Sequence, residues 1–457
     1  MSNKFRIAKE STQIKKPNPY ERFQFRQNPF PKSPGIIIGS ADYRENGSIY
    51  CHQLVEDEEK QFEKLLIPKP SKPETNRIAF LMDFTTRRGR GIGKTAFLNY
   101  EKNRIMKDFG GELSESDHVI FASYILPIPG GHYNHFWKIS RLIIKQLVDQ
   151  NIINEAICRL KAFSGLIPQN VLDEVGDDLV ETLGQDSWLQ EKKVSTGNLN
   201  HAIKSILEKL NIDAELTDIL AFGGNGNLVL TRYMDNQSDA YWRKNGDRIL
   251  FSDLIRIFLK AGFTKGIILF DELEKVFPPL NRMERRTFID NLRHFFIDGD
   301  FENTKYSFYS VLFTIHPYLQ ELMVPHWEAA GMDRFASIGG GNSAHENTIY
   351  FRPVAERFAI PLAQAYINAS RLENTGTDTL FPFTEPVLQE ALKISNSVPG
   401  FYLKLLHTLI EKAIEENVTE ITMAMVQKTA NTINPMEPDI EEKIAPLSKP
   451  IVDLREE

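Results

Sequence analysis

A glycine-rich run at residues 88–95 contains the residue types that bind a nucleoside triphosphate. It reads RGRGIGKT and follows an apolar stretch at residues 78–84. A triphosphate requires a cation, a hydroxyl for magnesium and backbone N–H groups that glycine allows to approach its phosphates closely. Gly91 and Gly93 allow that approach, Lys94 is the cation and Thr95 is the hydroxyl. The sequence therefore predicts a strand, a phosphate-binding loop and a helix, in that order.

The run departs from the G-x-x-x-x-G-K-[ST] pattern at its first position. Arg88 occupies the place of the first glycine, and Gly89 comes one residue later. The alternative interpretation is a glycine-rich turn that contains Gly-Lys-Thr by chance. We expect the whole segment to line the phosphates. Its members are Arg88, Gly89, Arg90, Gly91, Ile92, Gly93, Lys94, Thr95 and Ala96.

A second apolar run, residues 266–270, ends in two carboxylates, Asp271 and Glu272. Such a run is typical of a strand buried on both faces of a parallel sheet, and ligands bind at the carboxyl ends of these strands. We assign Asp271, with Thr95, to Mg²⁺, and Glu272 to the water that attacks ATP. The alternative is a strand that ends in a solvated turn. We interpret the nearby Glu274 as a solvated acid at the start of a helix.

The order of these segments resembles the AAA+ superfamily of P-loop ATPases, and within it the branch of origin-recognition initiators, transposition ATPases and STAND switch proteins. The Gly-Lys-Thr segment comes first. An apolar run at 118–124, the Asp-Glu strand, a further apolar run at 306–314 and a helical C-terminal region follow. Residues 251–274 and 291–293 also resemble the ATP-binding components of prokaryotic phage-exclusion systems.

The resemblance implies an α/β fold: a P-loop AAA+ core with a parallel sheet and helices on both faces, a helical insertion and a C-terminal helical lid domain. It also implies that a polar residue at the end of the 306–314 strand, Thr314 or His316, contacts the γ-phosphate or the attacking water. An arginine from a neighbouring protomer would sense the γ-phosphate, and Arg334 is the first candidate. The alternatives to Arg334 are Arg285, Arg286 and Arg293. Each of these arginines has an alternative interpretation as a solvated or ion-paired surface residue, and His316 as a turn residue before a proline.

Proline-rich linkers and changes in composition divide the chain into predicted segments. The first segment is basic with interleaved aromatic residues, and we interpret it as an arm that contacts nucleic acid or a partner, or as a disordered tail. The segments are the arm at 1–34, the nucleotide-binding core at 35–352 with a helical insertion at about 166–248, the lid at 353–435 and an acidic tail at 436–457.

Composition excludes several classes of protein. A net charge of −7 argues against a protein that coats nucleic acid by bulk electrostatics. The longest apolar run, residues 119–129, is too short to span a bilayer, and the polar N-terminus lacks a signal-peptide core, so we predict a cytoplasmic protein. Cys51 and Cys158 are the only cysteines, which excludes a disulfide framework and a thiolate zinc site.

The leading hypothesis is an AAA+ ATPase that binds ATP and Mg²⁺, hydrolyses ATP, forms a homo-oligomer with ATP and couples its nucleotide state to DNA or a partner protein. The resemblance suggests prokaryotic genome defence or mobile-element control, with a separate effector protein. The alternative is a STAND-like switch that turns over slowly and presents a surface to an effector. A GTPase is disfavoured because the chain has no N-K-x-D guanine motif, and a helicase because its further motor motifs are not identified.

Overall fold

The chain folds into two compact units. The first, called the sheet unit, is His52–Arg352, and the second, called the helical unit, combines Met1–Cys51 with Pro353–Glu457. The structure is a computed structural model. The residues that it describes are 18–33, 35–69, 74–83, 91–107, 119–128, 130–175, 179–223, 227–301, 304–305, 307–338, 346–372 and 380–430.

A five-stranded sheet, parallel at every pairing, forms the centre of the sheet unit. Its strands are β1 (Ile78–Asp83), β2 (Ile120–Ile125), β3 (Lys265–Phe270), β6 (Tyr309–Ile315) and β7 (Thr348–Phe351). A separate antiparallel hairpin is formed by β4 (Asp300–Phe301) and β5 (Thr304–Lys305). The order across the sheet is β2-β3-β6-β1-β7. The predicted α/β class with a parallel sheet is confirmed.

Burial explains why the strands read as apolar runs. Every residue of β1, β2 and β6 is buried, as a parallel sheet covered on both faces requires. Phe80 and Phe121 on the strands belong to the same buried cluster as Trp137 and Trp242 on helices. This continuous core joins the sheet to the helices that follow β2.

Helices make up most of the rest of the sheet unit. They are α1 (Glu56–Leu66), α2 (Lys94–Lys107), α3 (Phe136–Asp149), α4 (Ile152–Phe163), α5 (Gln169–Leu172), α6 (Leu179–Thr182), α7 (Asp186–Glu191), α8 (Thr196–Lys209), α9 (Ala214–Phe222), α10 (Asn227–Asn236), α11 (Asp239–Arg248), α12 (Leu254–Lys260), α13 (Arg282–Leu292) and α14 (Pro317–Ala329). Local signals start several of them. Before α13, Asn281 accepts hydrogen bonds from two backbone N–H groups and Glu284 reaches back to the Asn281 N–H, which is a complete capping box.

The helical unit contains α15 (Ala359–Ser370), α16 (Glu385–Ile394), α17 (Pro399–Glu415) and α18 (Met423–Ala430). A segment from the other end of the chain packs within the same unit. Tyr20 donates a hydrogen bond to Glu411 on α17 at 2.9 Å, and Phe23 and Phe25 have no exposed surface. Because both rings are buried, they offer no face on which a nucleic-acid base could stack. Across the described residues, no helix is both long and apolar enough to span a membrane.

Candidate active site

The parallel sheet brings the ends of three motif strands together. β6 lies between β1 and β3, with Leu81 opposite Thr314 and Phe270 opposite Phe313. Parallel strands end at the same edge of a sheet, where open α/β folds bind their ligands. The polar residues that follow each apolar run therefore meet at this edge.

Asp271 is the centre of this meeting point and is 3% exposed. Its Oδ2 accepts hydrogen bonds from the Thr95 hydroxyl at 2.7 Å and from the Tyr124 hydroxyl at 2.9 Å. Its Oδ1 accepts from the Thr314 hydroxyl at 2.7 Å and from the Glu272 backbone N–H at 2.9 Å. A carboxylate offers about four lone-pair positions, so these donors satisfy it. The structure thus joins Thr95, Asp271 and Thr314, which are far apart in sequence.

α2 begins at this edge, since Thr95 in its first turn bonds to Asp271. The first turn of a helix presents backbone N–H groups and the positive end of the helix dipole, which attract anions. Gly91 and Gly93, just before it, have φ values of 82° and 105°, which favour glycine. Lys94, the first residue of α2, is 7% exposed, and its Nζ lies 3.7 Å from Asp83 Oδ2 at the end of β1. Burial lowers the pKa of Lys94, and Asp83 acts in the opposite direction. The buried ammonium of Lys94 and the positive end of the α2 dipole would therefore stabilise a bound anion such as a phosphate.

Glu272 has an uncommon backbone conformation for a residue that is not glycine, with φ 51° and ψ 51°. Such strain costs on the order of 1–3 kcal/mol and is concentrated at functional sites. Its N–H donates to the Thr314 hydroxyl at 2.8 Å as well as to Asp271, which holds the turn in place. Its side chain is 45% exposed and forms an ion pair with Lys275. Oε2, the oxygen that faces Lys275, is buried, and the rest of the side chain is open to solvent.

The carboxylate of Glu274 pairs with the imidazole of His316 beside the site. Glu274 Oε1 lies 3.2 Å from His316 Nε2, and their side chains are only 23% and 18% exposed. Burial raises the pKa of Glu274 to about 7, although nearby Lys94 lowers it. The interpretation of Glu274 as a solvated acid is therefore wrong, because the residue is mostly buried and paired.

Two residues of the site were not assigned a role from sequence. Asp83 ends an otherwise apolar strand and is fully buried, so an acid inside that run was the available signal. Tyr124 gave no signal, since an aromatic residue in a strand usually belongs to the core. Burial, followed by the charge of Asp271, raises the pKa of Tyr124 well above its ordinary value, so its hydroxyl stays protonated.

The candidate arginines differ in their surroundings. Arg334 is exposed in the turn after α14, with its guanidinium 4.9 Å from the ring centre of Phe335. Arg293 donates to the Ala330 carbonyl at 2.8 Å, and Arg285 to the Pro278 carbonyl at 2.7 Å. The remaining candidate, Arg286, lies 3.8 Å from Asp290 on α13. Arg334 is thus the candidate whose guanidinium is presented on an exposed turn.

The other residues of the glycine-rich run are divided by the described ranges. Ile92 is buried and Ala96 lies within α2, while Arg88, Gly89 and Arg90 lie outside the described residues. In the described part of the chain, no group of three or more His, Cys, Asp or Glu side chains is placed to hold a metal. Thr95 and Asp271 instead supply hard oxygen atoms, which suit Mg²⁺ shared with phosphates and water.

Comparisons of this chain with protein-family models, with curated proteins and with solved structures find no match. The function must therefore be argued from the arrangement of the residues.

Proposed function

We infer that the chain is an ATPase of the AAA+ type that binds ATP with Mg²⁺ and hydrolyses it. The observation that carries this proposal is the convergence of Thr95 and Thr314 on the buried carboxylate of Asp271. A hydroxyl at the start of a helix after a glycine-rich loop, bonded to an acid at the end of a neighbouring strand, suits a magnesium-phosphate site.

The residues at the start of α2 would bind the phosphates. Lys94 would exchange Asp83 for the phosphate oxygens, since a buried ammonium at 3.7 Å from a carboxylate gains more from a close, multiply charged partner. The backbone N–H groups of the first helical turn would donate to the same phosphates. Thr95 and Asp271 are the residues that would hold Mg²⁺, which when bound neutralises charge on the β- and γ-phosphates.

Hydrolysis requires a group that orients and polarises water. We assign that role to Glu272, whose side chain is partly exposed while its backbone is held by Asp271 and Thr314. The fixed backbone limits where the carboxylate can reach. Lys275 is paired with Oε2 of Glu272, which leaves Oε1 to accept a hydrogen bond from water. His316, held by Glu274, is the candidate for contact with the γ-phosphate.

The proposal also covers oligomerisation and the partners of the chain. Arg334 on its exposed turn suits an arginine that reaches the γ-phosphate of a neighbouring copy, so ATP would favour a homo-oligomer. The resemblance of the motifs supports prokaryotic genome defence or mobile-element control, in the cytoplasm, with an effector protein or DNA as the coupled partner.

One observation favours the alternative of a slow STAND-like switch. The carboxylate of Glu272 is already paired with Lys275, and the ammonium of Lys94 with Asp83. Separating the Lys94–Asp83 pair for the phosphates, and the Glu272–Lys275 pair for full use of the carboxylate, would slow turnover. If a partner is needed to separate them, the isolated chain would hold nucleotide and turn it over slowly.

The test combines nucleotide binding and turnover. Lys94→Ala should lower the affinity for a fluorescent ATP analogue at least 100-fold, whereas Glu272→Gln should retain affinity and lose at least about 100-fold in turnover. Lys107→Ala, on the last turn of α2, is the matched control and should change neither. Turnover is measured with and without single- and double-stranded DNA, and GTP is tested beside ATP.

Undiminished affinity in Lys94→Ala would refute the site. Measurable nucleotide binding with little ATP hydrolysis by the unmodified chain, under every condition, would favour the slow switch over the hydrolysing ATPase.

A further inference from the structure

Tyr124 lies at the end of β2, which forms one edge of the sheet within the described residues. Its side chain is buried, and its hydroxyl donates to Asp271 Oδ2, the same oxygen that accepts the hydrogen bond from Thr95. The two hydroxyl groups reach this oxygen from different elements, one from α2 and one from β2. Together they restrict the direction in which the carboxylate can turn.

The backbone of Tyr124 is itself held by a side chain. Gln150, the residue after α3, accepts from the Tyr124 N–H through Oε1 at 3.1 Å and donates to the Tyr124 carbonyl through Nε2 at 2.8 Å. The amide of Gln150 thus takes the place of a neighbouring strand at an edge where backbone groups would otherwise need other partners. Its own N–H donates to the Gln146 carbonyl at 3.0 Å, which ties this contact to α3.

The result is a line of defined hydrogen bonds from α3 to the candidate metal ligand. A phenol oxygen that donates its proton to Asp271 keeps lone pairs that can accept a hydrogen bond from metal-bound water. Groups in this position orient the ligand and typically change metal affinity when they are removed. A buried phenol needs some hydrogen-bond acceptor, and the acceptor of Tyr124 is the carboxylate of the candidate metal ligand.

We propose that Tyr124, fixed by Gln150, is a positioning residue for Mg²⁺ that acts through Asp271. The inference rests on the proposed function, since it requires that Asp271 and Thr95 hold Mg²⁺. It extends that function to Tyr124 on β2 and to Gln150, which directly follows α3. It also connects α3 to the metal site through Gln150, Tyr124 and Asp271.

The experiment compares Tyr124→Phe with Tyr309→Phe. Tyr309 is a matched control because it is also buried on a strand of this sheet, and its hydroxyl donates to the Leu250 carbonyl at 3.2 Å, away from Asp271. Binding of a fluorescent ATP analogue is titrated with Mg²⁺, and again in EDTA. Thermal unfolding without nucleotide records the structural effect of each substitution.

Tyr124→Phe should raise the Mg²⁺ concentration for half-saturation about 10- to 100-fold and leave affinity in EDTA unchanged. Tyr309→Phe should lower the unfolding midpoint and leave the Mg²⁺ dependence unchanged. Gln150→Glu, which keeps the acceptor for the Tyr124 N–H but loses the donor to its carbonyl, should shift the Mg²⁺ dependence in the same direction by a smaller factor. If Tyr124→Phe fails to fold, the Mg²⁺ titration of Gln150→Glu tests the proposal instead, and an unchanged Mg²⁺ dependence there would overturn it.

Two outcomes separate the failure of this inference from that of the proposed function. Mg²⁺ dependence lost in Thr95→Ala but unchanged in Tyr124→Phe would overturn the role of Tyr124 alone. Nucleotide binding by the unmodified chain that does not respond to Mg²⁺ would overturn both.

Discussion

Replacing Thr314 by valine removes one hydroxyl from the centre of the site and keeps the shape of the side chain. That hydroxyl donates to Asp271 Oδ1 at 2.7 Å and accepts from the Glu272 N–H at 2.8 Å. It therefore connects the candidate magnesium ligand to the candidate catalytic acid. The substitution tests whether this connection serves chemistry or only stability.

The structure gives the expected size of each effect. A hydrogen bond to a charged group contributes about 1.5–3 kcal/mol, and a neutral one about 0.5–1.5 kcal/mol. Asp271 keeps the donor N–H of Glu272, so we expect Thr314→Val to lower the free energy of unfolding by about 2 kcal/mol. Ser310→Ala is the matched control on the same strand, because Ser310 is equally buried and donates to the Asn76 carbonyl at 2.7 Å. We expect it to lose about 1 kcal/mol.

Turnover separates the two variants. Thr314→Val should lower kcat about 10- to 100-fold, as removal of a group that orients a metal ligand typically does, while Ser310→Ala should keep the kcat of the unmodified chain. Thr314→Ser, which restores the hydroxyl, should recover most of the lost rate. The assays are urea unfolding and steady-state ATP hydrolysis. Equal kcat in Thr314→Val and Ser310→Ala would refute the reasoning, whatever their stabilities.

Two further predictions concern buried charge and assembly. Glu101 on α2 is fully buried, and burial raises its pKa from 4.5 to about 8 despite its ion pair with Arg104. Between pH 4.5 and 8 the folded chain therefore holds a proton on Glu101 that the unfolded chain has lost, so the free energy of unfolding should fall as pH rises through this range. Glu101→Gln should remove up to about 5 kcal/mol of that fall. Equal pH slopes in urea unfolding for the variant and the unmodified chain would contradict this prediction. Arg334→Ala should keep ATP affinity and lose about 100-fold or more in turnover. It should regain activity when mixed with Glu272→Gln, which still supplies Arg334 to a neighbouring copy. Unchanged turnover by Arg334→Ala alone would rule out the action of this arginine in trans.

Several features of the site were visible in the sequence because their signals are local. Residues 78–82 and 266–270 were predicted as strands of a covered sheet, because short apolar runs of this kind are typical of strands buried on both faces. Lys94 and Thr95 followed from the glycine pattern before them, and Asp271 and Glu272 from their place after an apolar run. These inferences required only neighbours in the chain.

Contacts between distant segments were decided by the tertiary structure. The placement of β6 between β1 and β3 joins Thr314 to Asp271, and the edge position of β2 brings Tyr124 to the same carboxylate. Glu274 reads as a solvated acid until the fold buries it beside His316. Phe23 and its neighbours likewise appear available for stacking until the helical unit covers them. Burial and charge pairing depend on which strands and helices become neighbours, and residue spacing alone does not specify that.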